Sequence, residues 1–136
     1  MIVDSNVFID VLNPEDEQSE SVSAAFLQLA AERPPFLNHV IFAEISSSFS
    51  TVEGLQLALK TLGAKLAGFS DEDAFRAGRA FISYRRNGGP RKTILPDFLI
   101  GAQAAVRGWP ILTRDPKRFS SYFSEVELID PLALGV

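Results

Sequence analysis

Very short apolar runs that alternate with longer amphipathic segments constrain the fold of this chain more than any other feature. The runs have the length of buried strands, and they are Ile2–Val3, Phe36–Leu37, 111–113 and 126–129. The segments between them carry apolar residues three and four positions apart, which is the spacing of one helical face. Strands that are separated by helices form parallel sheets covered on both faces. We therefore predict an α/β protein, a three-layer α/β/α sandwich with a central parallel sheet.

Capping and breaking residues predict where the helices begin and end. Asn13-Pro14 ends a first helix that starts near Asn6, and Pro96 suits the first turn of another. Gly63 is typical of a helix C-terminus. The predicted helices cover residues 6–12, a segment around 22–29, residues 40–49, 51–62, 71–86 and 96–107.

The fifth predicted helix has two distinct faces. It opens at Ser70-Asp71-Glu72-Asp73, which resembles a capping box with an acidic first turn. The spacing predicts that its buried face consists of Ala74, Phe75, Gly78, Phe81 and Ile82. Basic side chains on another face would then meet solvent or a partner.

Composition excludes several classes of protein. The chain has 136 residues, a single histidine, no cysteine and a formal charge of −4, and 46% of its residues are hydrophobic. This length fits one domain over residues 1–136, and the hydrophobic content excludes a disordered chain. Without cysteine there is neither a disulfide framework nor a thiolate metal site. No apolar stretch approaches the length of a membrane helix and no leader opens the chain, so we expect a cytoplasmic protein.

Four acidic residues lie in apolar surroundings where a carboxylate is costly. They are Asp4, Glu44, Asp97 and Asp115. A buried carboxylate costs several kcal/mol unless it is neutralised, paired or bound to a cation. Taken singly, each acid has an ordinary explanation, as a helix cap or as the partner of an arginine.

The expected positions of these acids converge. Asp4 and Asp115 follow strands. Asp97 begins a helix, and Glu44 lies on a neighbouring helix. Ligands of open parallel sheets bind beyond the carboxyl ends of the strands. A group of carboxylates there would repel one another without a cation, and oxygen ligands suit Mg²⁺ or Mn²⁺. Asn6 and Thr113 lie at the same two strand ends, where they would hold a water or orient a carboxylate.

Four short motifs in order resemble those of a known family. Residues 1–6 (Met-Ile-Val-Asp-Ser-Asn) look like an opening strand with its Asp-Ser/Thr-Asn signature, and residues 43–45 (Ala-Glu-Ile) look like a second acidic motif. Residues 96–102 and 112–119 resemble the third and fourth. By these motifs, which span nearly the whole chain, the sequence resembles the PIN domain family, and within it the VapC-type toxins of bacterial type II toxin–antitoxin systems.

The resemblance implies a function. It implies a Mg²⁺-dependent endoribonuclease with one or two ions and a cognate antitoxin as partner. It assigns the metal and the catalysis to Asp4, Glu44, Asp97 and Asp115, supported by Asn6 and Thr113. Some members carry a further acid after the fourth motif, where this chain has Pro116-Lys117-Arg118. That departure weakens the case for a second ion.

A basic segment precedes the third acidic motif. Six of the 13 basic residues fall in it, and no acid lies between Asp73 and Asp97. The hypothesis is an RNA-binding track at the edge of the metal pocket, and the ordinary alternative is a solvated helix face. The residues of this track are Arg76, Arg79, Arg85, Arg86, Arg91 and Lys92.

Partners and competing functions follow from the same features. The apolar segments 22–29 and 51–62 are either core or a surface that receives an apolar antitoxin segment. We expect a homodimer or a toxin–antitoxin hetero-oligomer. Two other functions stay open on the sequence: a receiver-like Mg²⁺-binding signalling domain, and a catalytically silent module that binds RNA or protein.

Overall fold

A computed structural model describes residues 1–134 of the chain. Its five strands form one parallel sheet in the order β3-β2-β1-β4-β5, and seven helices flank the sheet. The predicted three-layer α/β/α fold is therefore confirmed. The strands are β1 (Ile2–Val3), β2 (Phe36–Leu37), β3 (Lys65–Leu66), β4 (Ile111–Leu112) and β5 (Leu128–Ile129). The helices are α1 (Ser5–Leu12), α2 (Glu17–Ala30), α3 (His39–Ile45), α4 (Val52–Thr61), α5 (Asp71–Arg86), α6 (Pro96–Arg107) and α7 (Lys117–Ser120).

Side-chain caps begin most of these helices. Asn38, at the N-terminus of α3, accepts a hydrogen bond from the backbone N–H of Ile41 at 3.0 Å. Ser70 and Asp73 form the predicted capping box of α5, each accepting from the backbone N–H of the other. Gly108 ends α6 with a φ of 66°, a left-handed conformation that favours glycine.

The core lies between the central strands and the helices packed on them. The residues of β1 and β4 are fully buried, and so are Phe8, Phe26 and Phe119. Gly101 of α6 lies directly against the Phe123 ring, since a Cβ at this glycine would come within 2.4 Å of it. This contact brings α6 close to the core and so fixes the position of its N-terminus.

Two sequence predictions need correction. Strand β3 was not predicted, because Lys65 and Leu66 are both exposed at the edge of the sheet and carry no apolar pattern. The predicted buried face of α5 was wrong, since Phe75 is 64% exposed and Ile82 is 40% exposed. The buried side of α5 instead carries Asp73, Ala77 and Ala80, with Phe81 and Tyr84 half-buried.

Contacts with α6 explain this rotation of α5. The Asp73 carboxylate accepts a hydrogen bond from Arg107 of α6 at 3.0 Å, and the rings of Tyr84 and Phe98 pack edge to face with centroids 5.4 Å apart. The small side chains of Ala77 and Ala80 allow the two helices to pack closely. No helix among residues 1–134 is long and apolar enough to span a membrane.

Candidate active site

The candidate site lies where β1 and β4 end side by side. Ile2 pairs with Ile111 and Val3 pairs with Leu112, so the next residues, Asp4 and Thr113, leave the sheet together. In the sheet, β1 lies between β2, the next strand along the chain, and β4. The order of the strands therefore reverses between β1 and β4. Such a switch in strand order opens a crevice at the carboxyl ends of the strands, where ligands bind in α/β proteins.

Asp4 is the most deeply buried acid of the site, with no exposed surface. One carboxylate oxygen accepts the Ser5 backbone N–H at 2.8 Å. The other accepts the Thr113 hydroxyl at 2.8 Å and Nη1 of Arg118, also at 2.8 Å. Burial raises the pKa of Asp4, although Arg118 and these hydrogen bonds oppose the shift. The local structure thus holds a carboxylate in a place that disfavours its charge.

Arg118 is the cation that joins two of the predicted acids. From α7 it donates through Nη1 to Asp4 and through Nη2 to Asp97. Asp97 lies in the first turn of α6, after Pro96. The hydrogen bond to Asp97 raises the pKa of Arg118, so the guanidinium stays charged. A positive charge therefore lies between two carboxylates that are far apart in the sequence.

Glu44 belongs to the same electrostatic group. It is exposed on α3, yet partial desolvation of its carboxylate raises its pKa, and the charge of Asp4 raises that pKa further. The position of α3 relative to α6 is fixed by a buried amide pair, in which Asn38 donates to Gln103 at 3.0 Å. The helices that carry Glu44 and Asp97 are thereby tied to each other.

The two predicted polar supports lie beside Asp4. Thr113 is fully buried, and its hydroxyl donates to Asp4 and accepts the Asp115 backbone N–H at 3.0 Å. Asn6 accepts the Arg114 backbone N–H at 3.2 Å, and its amide lies 3.5 Å from the Thr113 hydroxyl oxygen. These contacts join the start of α1 to the end of β4 and so orient the Asp4 carboxylate.

Asp115 follows Thr113 just beyond the end of β4. It is exposed, and in the part of the chain that the structure describes its carboxylate makes no hydrogen bond or ion pair. Its backbone connects it to Thr113, which places it at the rim of the crevice. Arg118 therefore links Asp4 and Asp97 directly, Glu44 lies within range of their charges, and Asp115 lies at the end of β4 beside Thr113.

The donor chemistry of this group fits a divalent cation. Asp4, Glu44 and Asp97 supply only carboxylate oxygens, the ligands that Mg²⁺ and Mn²⁺ prefer. Within residues 1–134, however, no three acid or histidine side chains are arranged to hold an ion together. Arg118 lies between two of them and balances their charge as an ion would. An ion and the guanidinium would compete for the same oxygens.

The six predicted RNA-binding residues differ in how far they are engaged in contacts within the chain. Arg76 is engaged, donating to the Tyr122 carbonyl at 2.7 Å and to Glu125 at 2.8 Å. Arg85 donates to two backbone carbonyls of the loop that follows α5. The guanidinium of Arg79 lies 4.7 Å from the centre of the Phe75 ring. Exposed basic residues that follow along the chain are Arg86, Arg91 and Lys92.

Two features of this region were missed by the sequence reasoning. The first is the role of Arg118 as the counter-ion of Asp4 and Asp97. The only indication of this role in the sequence is that basic residues follow the fourth motif, where some family members carry an acid. The second is the ion pair of Arg114 with Asp10 of α1, at 2.7 Å, which engages an arginine next to the site. Asp10 is buried, but it lies four residues after Asn6 and directly after Ile9 in an amphipathic segment. A charged residue in such a segment is expected on the exposed face, so the pattern did not indicate a buried ion pair.

Comparison with known protein families identifies the family of this chain. The profile of the PIN domain matches residues 1–123. The chain belongs to the PIN domain family. PIN domains are generally nucleases and typically use divalent metal ions, which favours a nuclease over the receiver-like alternative. No curated protein sequence matches the chain.

Solved structures of PIN-like fold resemble the chain over nearly its whole length. FitAcB of Neisseria gonorrhoeae has a TM-score of 0.69 at 23% identity, over 98% of this chain and 99% of that one. VapBC2 of Rickettsia felis, bound to a DNA fragment from its promoter, has a TM-score of 0.70 at 17% identity, covering 93% and 95%. A toxin–antitoxin complex of Klebsiella pneumoniae has a TM-score of 0.68 at 19% identity, covering 96% of each chain. At these identities the likeness establishes the PIN fold.

Proposed function

We propose that this PIN domain is the toxin of a type II toxin–antitoxin system, a Mg²⁺-dependent endoribonuclease that hydrolyses RNA phosphodiester bonds. The observation that carries the proposal is that Asp4 and Asp97, 93 positions apart in the sequence, share one guanidinium at the carboxyl end of the sheet. Glu44 lies close enough for the charge of Asp4 to raise its pKa. The structural likeness to toxin–antitoxin complexes supports the biological setting. In that setting the protein acts on cellular RNA in the cytoplasm.

The chemistry follows from the side chains of the crevice. Asp4, Glu44 and Asp97 would hold the ion, with Asp115 at the rim as a fourth ligand or as the ligand of a second ion. Bound Mg²⁺ or Mn²⁺ supplies a water of lowered pKa and offsets negative charge on the scissile phosphate. Thr113 fixes the Asp4 carboxylate by its 2.8 Å hydrogen bond.

No histidine belongs to this group, so water is the nucleophile in the proposal. The sole histidine of the chain, His39, begins α3 beside Phe42, with the two ring centroids 6.3 Å apart. A carboxylate is then the group that accepts the proton of the attacking water. Direct hydrolysis leaves a 5′-phosphate and a 3′-hydroxyl on the products.

The RNA would approach over exposed basic residues near the site. Arg91 and Lys92 are exposed and precede Asp97 by six and five positions, so their side chains can reach phosphates close to the crevice. Lys117, exposed on α7 next to Arg118, would contact phosphates from another side. These contacts would supply affinity without sequence information.

An apolar groove supports the proposed antitoxin partner. It lies between α4 and the edge strand β3, has a volume of about 220 Å³, and is lined by apolar residues that include Leu37, Phe42, Leu59 and Leu66. Leu57 of α4 is 66% exposed as well. An amphipathic or extended antitoxin segment would bury this surface. We expect the product of an adjacent open reading frame to copurify with this chain and to suppress its toxicity.

The test of the nuclease site is a panel of isosteric substitutions. Asp4→Asn, Glu44→Gln and Asp97→Asn should each reduce Mg²⁺-dependent RNA cleavage at least 100-fold, because each removes a charged ligand. Glu53→Gln is the matched control, since Glu53 is an exposed acid in the first turn of α4, outside the site. Full activity of two of the three site variants would overturn the shared-site proposal. Loss of activity in the control as well would point to a general charge effect.

A further inference from the structure

Arg118 is held in one position by contacts on both sides of its side chain. Its guanidinium donates through Nη1 to Asp4 at 2.8 Å and through Nη2 to Asp97. Its own helix, α7, is anchored in the core by Phe119, which is fully buried, and the Arg118 Cζ lies 5.3 Å from the centre of the Phe119 ring. The guanidinium is therefore a fixed positive charge at the carboxyl end of the sheet.

The Asp4 carboxylate has few acceptor positions left for metal ions. An ionised carboxylate offers about four such positions on its two oxygens. Within residues 1–134, three donors already bond to Asp4, namely the Ser5 backbone N–H, the Thr113 hydroxyl and Nη1 of Arg118. A pair of ions about 3.5–4 Å apart needs carboxylates that bond to both ions. With Arg118 in place, Asp4 can bond to one ion and cannot bridge two.

The Arg118 guanidinium has donors left for a substrate. A guanidinium carries five N–H groups in one plane, and the bonds to Asp4 and Asp97 use one on each terminal nitrogen. In the part of the chain that the structure describes, the other N–H groups have no acceptor. The side chain is 24% exposed, so a ligand in the crevice can reach it. The planar fork of arginine matches the oxygens of a phosphate.

We propose that Arg118 is a catalytic residue that takes the place of a second ion: it contacts the scissile phosphate, and the site holds one divalent ion. The proposal rests on the nuclease function proposed above. A fixed guanidinium offsets the negative charge that builds up on the phosphate oxygens in the transition state, as a second ion does in two-ion nucleases. Arg118 transfers no proton in this role, since arginine stays charged.

Repulsion between like charges supports a single ion. An ion bound by Asp4 and Asp97 lies beside the Arg118 guanidinium, which weakens its binding without preventing it. A second ion in the same group would be repelled by both positive charges. Asp115, at the end of β4, then has the role of a fourth ligand of the one ion.

The number of bound ions tests this assignment without any cleavage. Titration calorimetry and equilibrium dialysis with Mn²⁺ should give one ion per wild-type chain and one per Arg118→Met chain. Arg118→Asp should bind two, because it frees an acceptor position on Asp4 and adds a carboxylate beside it. Two ions in the wild type, or one in Arg118→Asp, would overturn the proposal. No bound ion in the wild type would contradict the nuclease site itself, and this proposal with it.

Cleavage kinetics at saturating Mg²⁺ provide a second arm, with the folding of each variant checked by circular dichroism. Arg118→Met should lower kcat for RNA cleavage at least about 100-fold and change KM less than about threefold, because the contact strengthens in the transition state. Arg118→Lys keeps the charge and should recover at least about tenfold of the lost kcat.

Arg114→Met is the matched control for the kinetic arm. Arg114 pairs with Asp10 of α1 at 2.7 Å, so its loss removes an arginine ion pair next to the site and should leave kcat near the wild-type value. A wild-type kcat in Arg118→Met, or an equal loss in Arg114→Met, would overturn the assignment of Arg118. An inactive wild-type chain would instead contradict the proposed function on which the assignment rests.

Discussion

Removing the guanidinium of Arg118 should have opposite effects on stability and on metal affinity. In the metal-free protein Arg118 is the cation between Asp4 and Asp97, so Arg118→Met leaves a buried carboxylate without its counter-charge. Breaking a buried ion pair costs about 3–5 kcal/mol. Asp4 is fully buried, but the Arg118 side chain is 24% exposed and that of Asp97 is 31% exposed. Solvent screening at these two groups reduces the expected loss to about 2–3 kcal/mol.

That loss translates into a measurable shift. For a domain of this size it corresponds to a decrease in Tm of roughly 10 °C in metal-free buffer. The same substitution removes the competitor of the ion, so Mg²⁺ should bind about tenfold more tightly or better. Differential scanning calorimetry with EDTA measures the first effect, and isothermal titration calorimetry with Mg²⁺ measures the second. Saturating Mg²⁺ should restore most of the lost stability.

A matched variant separates this effect from the loss of any buried ion pair. Arg114 pairs with Asp10 at 2.7 Å and is 30% exposed, which resembles the Arg118–Asp4 pair in distance and exposure. Arg114→Met should also lower the Tm, but it should leave the affinity for Mg²⁺ unchanged. If Arg118→Met binds Mg²⁺ no more tightly than wild type, the competition between guanidinium and ion does not exist.

Three further predictions concern helix packing, pH dependence and RNA binding. Gly101→Ala should destabilise the protein by about 1–3 kcal/mol, because the new Cβ would overlap the Phe123 ring. Gly68→Ala is the control and should be nearly neutral, because a Cβ there meets no other atom within 4 Å. Calorimetry measures both effects as changes in Tm. Burial raises the folded-state pKa of Asp4 above its ordinary value of 3.8. The metal-free protein therefore loses stability as the pH rises from that ordinary value through the raised pKa of the folded state. Asp4→Asn should flatten this part of the curve of Tm against pH. Replacing Arg91 and Lys92 by alanine should reduce the slope of log RNA affinity against log salt by about one per lost phosphate contact, and an unchanged slope would place the RNA elsewhere.

Signals that act over a few residues made much of the fold predictable. The capping box of Ser70 and Asp73 fixes the start of α5, and Pro96 and Gly108 bound α6, because caps and turns depend only on local backbone geometry. The edge strand β3 has no such signal. Its two residues, Lys65 and Leu66, are exposed at the edge of the sheet. They form a strand because they pair with β2, which is distant in the sequence.

The rotation of α5 shows where pattern reasoning fails. Large apolar residues such as Phe75 and Ile82 dominate a periodicity argument, but the helix buries Ala77 and Ala80 instead. Small residues allow close helix packing, and their contribution depends on what lies opposite them. Phe75 and Ile82 stay exposed on the outer side of the helix.

The candidate site was predictable in its acids and not in its cation. Each carboxylate stands out locally, because an acid within an apolar run is unusual. Arg118 does not stand out, since its partners Asp4 and Asp97 lie 114 and 21 positions away along the chain. Only the fold brings the three together. Asp115, like Glu44, is exposed, and its role as a ligand stays a prediction.

The central claim is that this PIN domain hydrolyses RNA with a divalent ion held by the acids at the carboxyl end of its sheet. The most direct measurement follows RNA cleavage by the purified chain, free of any partner, first with Mg²⁺, then after EDTA, then after Mg²⁺ is restored, with the product ends determined. We predict cleavage that stops with EDTA and returns with Mg²⁺, leaving a 5′-phosphate and a 3′-hydroxyl. Cleavage that continues in EDTA, or that persists at the wild-type rate in Asp4→Asn, would contradict the account.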